Sequence, residues 1–260
     1  MRLSVSLLPD STRIDELADV AVVIDVLRAT SVMTTALANG AQQLITCQEI
    51  QQAHQIASQL DTSPMLCGER QCKPIDGFDL GNSPAQYDRS VVANRTLVLT
   101  TTNGTRAIAA ATAAKRLIAA SFLNLSAVVA QLQQADWVHL ICAGTDGEVT
   151  AEDVLLAGGI IGQLRRGQSS PDQQAVNQQA VNLCGDEAIL AYELWRSWFA
   201  DQIPNSASLS ARLAETRGGK NLIHVGYQAD LDRCAAIDTV SVVPERIASS
   251  PATFALPAIR

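Results

Sequence analysis

The apolar positions of this chain fall into short β-branched runs separated by longer aliphatic stretches of helical period. Val22, Val23 and Ile24 form the first clear run, the pattern of a strand covered on both faces, and Asp25 stands where it should end. Arg28, Thr30 and Ser31 then open a helix of Ala, Leu, Met and Thr that stops at Asn39-Gly40, with Thr30 or Ser31 as candidate N-cap. The same order recurs twice. A strand at 96–99 (TLVL) runs into the turn TTTNGTRA and an alanine-rich helix, and a strand at 137–142 (WVHLIC) runs into AGTDGEVTAED and the apolar run VLLAGGIIGQL. Three such strands lying parallel in one sheet would share a carboxyl edge, where open α/β sheets hold their ligands.

Further strands are expected at 4–8, 43–47, 65–67, 117–121 and 239–243, and helices at 49–60, 124–134, 187–200 and 208–215. Between them, 68–87 has little periodicity and many turn residues, including Gly68, Pro74, Gly77, Gly81, Asn82 and Pro84. Such a segment is either a functional connection or a solvated loop. Thr150-x-x-Asp153 matches a capping box. The polar stretch 165–182 reads as a surface loop and a candidate lobe boundary. Together these elements predict one α/β domain over 1–260, a three-layer α/β/α arrangement about a largely parallel or mixed sheet.

Composition narrows the function. The 260 residues can bury a sizeable core, and at 4% aromatic that core must be aliphatic. A net charge of -7 without any Lys/Arg-rich run argues against a nucleic-acid partner. No run approaches the ~18 apolar residues of a membrane span, and the N-terminal apolar core is too short for a signal peptide. Six cysteines make no CxxC pair, and Cys67-x4-Cys72 is a weak metal pattern. The expectation is a cytoplasmic protein with reduced thiols, without a membrane partner. Lysine is confined to Lys73, Lys115 and Lys220, so arginine carries the remaining positive charge, and its planar fork suits oxyanions. His139 lies inside an apolar strand and reads as a core histidine.

A carboxylate, an arginine and two hydroxyls at a helix N-terminus suit phosphate, because that end carries unpaired N–H groups and partial positive charge. Arg28 and Arg106 could neutralise phosphoryl oxygens, while Asp25, Glu148 and Glu152 are hard oxygen ligands suited to Mg²⁺. Water or Asp25 itself could be the nucleophile. Known phosphate motifs are missing: neither GxxxxGK[ST] nor GxGxxG occurs. Leu27 stands where an aspartyl-phosphate Asp-x-Asp motif would need its second aspartate, and no G-x-S-x-G occurs.

The strings DVLRATS, CGER, GFDLGNSP, TTTNGTRA and AGTDGEVTAEDVLLAG, in this order, resemble the 2-phosphosulfolactate phosphatase family of coenzyme M biosynthesis. The resemblance is strong over 20–159 and looser through the GDEA and VPER segments. It implies a Mg²⁺-dependent phosphatase that converts 2-phosphosulfolactate, or a related small anionic phosphoester, to 3-sulfolactate and phosphate. It also implies a family-specific α/β fold and a homodimer. By the same resemblance Asp25, Arg28, Thr30 and Ser31 lie at the phosphate, and Glu69, Arg70, Asn82 and Ser83 at its border. Asn103, Gly104 and Thr105, with Arg106, lie at a second anion, and Glu148, Glu152 and Asp153 near the metal. Asp25, Arg28 and Glu148 are the expected catalytic residues, with Asp25 also a metal ligand. Two other readings stand beside this one: an anion-binding or regulatory protein without turnover, and a phosphotransferase with another acceptor.

Overall fold

The run around Val22 is buried along its whole length because strands pair with it on both sides and helices cover both of its faces. The computed structural model describes residues 1–11, 18–167 and 180–257. Its elements are, in chain order, β1 (Arg2–Ser6), β2 (Val20–Ile24), α1 (Ala29–Ala38), β3 (Gln43–Thr46), α2 (Ile50–Gln59), β4 (Met65–Arg70), β5 (Lys73–Pro74) and α3 (Arg89–Val92). There follow β6 (Thr96–Thr100), α4 (Gly104–Ala110), β7 (Arg116–Ala120), α5 (Leu125–Leu132), β8 (Trp137–Cys142), α6 (Ala151–Gly167) and β9 (Asn182–Cys184). The chain closes with α7 (Asp186–Phe199), α8 (Ser206–Glu215), α9 (Arg217–His224), α10 (Ala229–Cys234), β10 (Glu245–Ser249) and β11 (Ala252–Ala255). The polar stretch 165–182 lies mostly outside the described residues.

The strands form one mixed sheet in the order β5-β4-β6-β3-β11-β10-β7-β2-β8-β1-β9. Two parallel blocks, β4-β6-β3 and β7-β2-β8-β1-β9, are joined by the antiparallel hairpin β10–β11. That hairpin is built from the chain's end, which carried no strand signal beyond the run at 239–243. The structure moves the strand past Pro244: 239–243 is irregular, and the ladder begins at Glu245, where each residue can donate its N–H.

Alternation along the strands sets the layers. Val20, Val22 and Ile24 face α5 and α6, whereas Ala21 and Val23 face α1 and α4. The α1/α4 cluster also takes in Leu44 of β3, Cys67 of β4, Leu97 and Leu99 of β6 and Phe254 of β11, so the sheet wraps around these two helices. Ile45 and Val98, on the other face of the β4-β6-β3 block, pack under α2 through Ala53. Twist accumulating across the junctions lets one sheet enclose a helix pair in this way. The ends of β2, β4, β6 and β8 consequently open on one cavity. Among the described residues no helix is long and apolar enough to cross a membrane.

His139 on β8 is expected in the core but is only half-buried, with both ring nitrogens partnered. Its Nδ1 lies 2.6 Å from Ser4 Oγ and its Nε2 3.0 Å from Ser6 Oγ, so the neutral ring finds a partner at each nitrogen. Burial lowers its pKa to about 4. The unfolded chain therefore takes up a proton near pH 6.5 that the folded chain refuses, and stability falls as pH drops from about 6.5 towards 4. The loss from this one group is at most about 3 kcal/mol. Urea midpoints measured across that range should fall more steeply for wild type than for His139→Gln. Parallel profiles would show that the ring is not titrating.

Candidate active site

The turn after β2 is locked by its own side chains. Thr30 donates from its amide and its Oγ1 to Asp25 O, at 3.0 and 2.9 Å, and Ser31 Oγ donates to Val26 O at 2.8 Å. Both hydroxyls are buried and spent on the backbone, and Arg28, in place of Thr30 or Ser31, occupies the N-cap position of α1. The tightened turn aims Asp25 inward. Its Oδ1 accepts from Ala29 N at 3.1 Å, and its Oδ2 lies so close to α4 that a Cβ on Gly104 would come within 2.8 Å of it. The same Cβ would meet Ala29 Cβ at 2.5 Å, so only glycine permits this approach of the two helix ends.

Asp25 stands among other carboxylates. Burial pushes its pKa up to about 7, the Ala29 amide opposes this, and the charges of Glu69 and Glu152 add to it. Burial likewise raises Glu152, and raises Asp153 well above the usual carboxylate range, with Asp25 and Glu152 contributing. Glu152 Oε2 is buried with no hydrogen-bond partner. The N-terminal turn of α9 presses on this side chain: a Cβ on Gly218 would fall 2.0 Å from Glu152 Oε1. Asp153 Oδ1 accepts from Val26 N at 2.8 Å and its Oδ2 from Gly144 N at 3.0 Å, tying the β2 turn to the β8 turn. The expected capping box does not form, because Asp153 is drawn across to those two amides and Thr150 Oγ1 is left without a partner.

Arg28 is 2% exposed and held from three sides. Nη1 donates to Asp230 Oδ2 at 2.6 Å, Nη2 donates to Cys72 O at 3.0 Å, and the guanidinium carbon sits 4.4 Å from the centre of the Tyr227 ring. Glu69 is the corresponding fixture of β4: Oε1 accepts from Thr102 N and Oε2 from Cys72 N, both at 2.8 Å. Asn82 is buried with its Oδ1 unpartnered, and Ser83 Oγ donates to Asp230 Oδ1 at 2.7 Å. Asn103 Oδ1 accepts from Asp146 N at 3.2 Å, which joins the turns after β6 and β8.

Asp25, Arg28, Glu69, Asn82, Thr102 and Asn103 together line a cavity of about 330 Å³, closed on its far side by Gly218, Asn221 and His224 of α9. Other expected site residues stand elsewhere. Arg70, Thr105 and Arg106 line a neighbouring cavity that meets the first at Thr102. Arg70 Nη1 donates to Glu69 O and its Nη2 to Gln48 O, both at 2.7 Å; Thr105 Oγ1 donates to Thr101 O, and Arg106 pairs with exposed Asp10. Glu148 is exposed in the tight turn it closes with Thr145 and does not line the cavity. Residues outside the expected site fill the gaps: Cys72, Gly218, His224, Tyr227 and Asp230. Beyond the helix expected at 208–215, Thr216 caps a new helix by accepting from Gly219 N.

The geometry is thus a small polar cavity lined by the buried carboxylates of Asp25 and Glu69 with a fixed guanidinium beside them, while Glu152 and Asp153 are buried but do not line it. A family model described as 2-phosphosulpholactate phosphatase matches residues 6–248. A probable 2-phosphosulfolactate phosphatase of Thermotoga petrophila is 38% identical over 224 residues, covering 86% of this chain and 87% of the relative. The Thermotoga maritima protein of the same description matches to the same extent. A probable 2-phosphosulfolactate phosphatase of Picosynechococcus is 36% identical over 247 residues, or 94% of this chain and 95% of that one. With a match that runs through nearly every element from β1 to β10, the chain belongs to the 2-phosphosulfolactate phosphatase family.

Proposed function

We propose that this protein hydrolyses 2-phosphosulfolactate to 3-sulfolactate and phosphate with Mg²⁺ held by Asp25 and Glu152. The observation that carries the reading is the placement of the Asp25 carboxylate and the Arg28 guanidinium on one small cavity in a chain of this family. Phosphoryl transfer asks the protein mainly for position and for positive charge at the nonbridging oxygens. Arg28 meets both demands, since its fork is immobilised by Asp230, Cys72 and Tyr227 while it still faces the cavity. Asn82 and Asn103 offer amide groups to a substrate that carries a sulfonate and a carboxylate as well as the phosphate.

The carboxylates fit a divalent cation. Glu152 Oε2 is an acceptor buried without a donor, and Asp25 is crowded by like charge, which is the setting a cation relieves. Among the described residues no three His, Cys, Asp or Glu side chains are arranged to enclose a metal by themselves. Mg²⁺ asks for less, one or two carboxylates with water and substrate phosphate completing the shell. Asp153 has both oxygens committed to amides, so its part is to hold the two turns together. When bound, Mg²⁺ would supply neutralising charge at the transferring phosphoryl group.

Phosphate release from 2-phosphosulfolactate, set against a panel of small phosphoesters, tests the reaction. No release from any of them would favour an anion-binding protein, and release that needs an added acceptor would favour a phosphotransferase. For Arg28→Ala we expect a loss of about 2–4 kcal/mol in transition-state stabilisation, the scale of removing a preorganised donor. Arg28→Lys should also be impaired, because an ammonium cannot reproduce the fork. Wild-type kcat/KM in a folded Arg28→Ala protein would take Arg28 out of the reaction.

A further inference from the structure

We infer that Asp230 is a positioning residue for Arg28, and that the carboxyl-terminal segment of the chain thereby sets the phosphate-binding geometry. The inference rests on the role proposed for Arg28 above. Asp230 lies on α10, 202 residues beyond Arg28, and both side chains are almost completely buried, at 3% and 2% exposed. The carboxylate is divided between two tasks. Oδ2 accepts from Arg28 Nη1 at 2.6 Å, and Oδ1 accepts from Ser83 Oγ at 2.7 Å, with Arg233 Nη1 a further 3.9 Å away. Three parts of the chain therefore meet at one carboxylate: the turn after β2, the irregular segment before α3, and α10.

The pair does not read as mere ballast in the fold. A buried ion pair is seldom worth more to stability than an apolar replacement of the same volume, because both charges must be desolvated. What this one does is fix direction. An arginine held by one hydrogen bond can swing about it; Arg28 is also held by Cys72 O and has its face against the Tyr227 ring. Asp230, Cys72 O and Tyr227 constrain the guanidinium along different directions, and the N–H groups they leave free belong to a residue that lines the cavity. Preorganisation of this kind keeps a donor from having to reorient as charge develops on the phosphoryl group. Partners one step removed from a reacting centre typically matter by about 10–100-fold when lost, as the groups that orient metal ligands do.

The test is a double-mutant cycle on kcat/KM for 2-phosphosulfolactate, with inhibition by inorganic phosphate as an independent reading of anion affinity and Tm recorded for each protein. Asp230→Asn keeps the shape and removes the charge. We expect it to lower kcat/KM about 10–100-fold and to weaken phosphate inhibition, yet to cost under about threefold once Arg28 is already Ala. Equal losses in the two backgrounds, or no loss in wild type, would overturn the inference. A purely structural role would lower Tm without this dependence on Arg28. Should Asp230→Asn or Arg28→Ala not fold, Tyr227→Leu removes the stacked ring without unpairing a charge, and Arg28→Lys serves as the second background. The same non-additivity is expected, and additive losses overturn it. Failure of the underlying reading looks different: Arg28→Ala would then retain wild-type kcat/KM by itself.

Discussion

Protein stripped of divalent cations is expected to release no measurable phosphate from 2-phosphosulfolactate, and added Mg²⁺ is expected to restore the rate. The reason is the state of the carboxylates. Asp25 and Glu152 are both buried, Glu152 Oε2 has no donor, and burial with the charges of Glu69 and Glu152 pushes the Asp25 pKa up to about 7. Without a cation the site is partly protonated at neutral pH, and the phosphate dianion would meet the remaining carboxylates with Arg28 and Lys73 as the positive charges on the lining. A bound cation would favour the ionised carboxylates and add positive charge beside the cavity. Binding should also register in the fold. A ligand at 100 times its Kd stabilises a protein by about 2.7 kcal/mol, so Mg²⁺ should raise Tm, and Glu152→Gln should lose much of that rise. Full turnover in thoroughly chelated protein would end the metal reading, whatever Tm does.

How much of this site could be read from the sequence depends on how far apart its parts lie along the chain. Strand–turn–helix units are local, so Val20–Ile24 with Asp25, Thr96–Thr100 with its turn, and Trp137–Cys142 were all visible as periodicity followed by polar residues. Their convergence on one cavity follows from parallel pairing only for β2 and β8; β6 stands beyond three antiparallel pairings, and its turn reaches the cavity because the sheet wraps around α1 and α4. The use of each side chain follows from neither. Thr30 and Ser31 look like phosphate ligands on paper, but their hydroxyls close their own turn. Asp153 looked like a local cap, yet it serves Val26, 127 residues away. Glu148 has no rival local task and so attracts a catalytic role, although it is exposed and only Thr145 and Asp146 of its turn line the cavity. Asp230, Tyr227 and Gly218 matter only because α9 and α10 fold back over the cavity, and no local pattern announces such a contact. The hairpin β10–β11 was hidden for a related reason: short strands at the end of a Pro- and Ser-rich tail become strands because β3 and β7 each leave an edge to be filled.

Asp25→Asn is expected to lower kcat/KM by about 10³-fold or more while leaving the protein folded, the scale of losing one member of a preorganised catalytic unit. Two roles would give that loss. As nucleophile, Asp25 would form an aspartyl phosphate; as metal ligand, it would never carry the phosphoryl group. We favour the ligand, because Leu27 occupies the position where an aspartyl-phosphate site would place its acid, while Glu152 is at hand to share a cation. Stability separates the roles from another side. Burial raises the Asp25 pKa above its unfolded value, so its stabilising contribution is complete below about pH 4 and is lost as pH rises through about 7. In chelator at pH 8 the neutral Asn should therefore melt above wild type, and the gap should narrow as pH falls below about 7 and close near pH 4, where Asp25 is protonated in the unfolded chain as well. Added Mg²⁺ should raise wild type and leave Asp25→Asn nearly unmoved if Asp25 is a ligand. Rapid quench of the wild-type reaction followed by mass spectrometry gives the decisive reading: a phosphoryl adduct on the peptide bearing Asp25 would make it the nucleophile, and its absence through the first turnover, with Mg²⁺-dependent stability, would leave it the ligand.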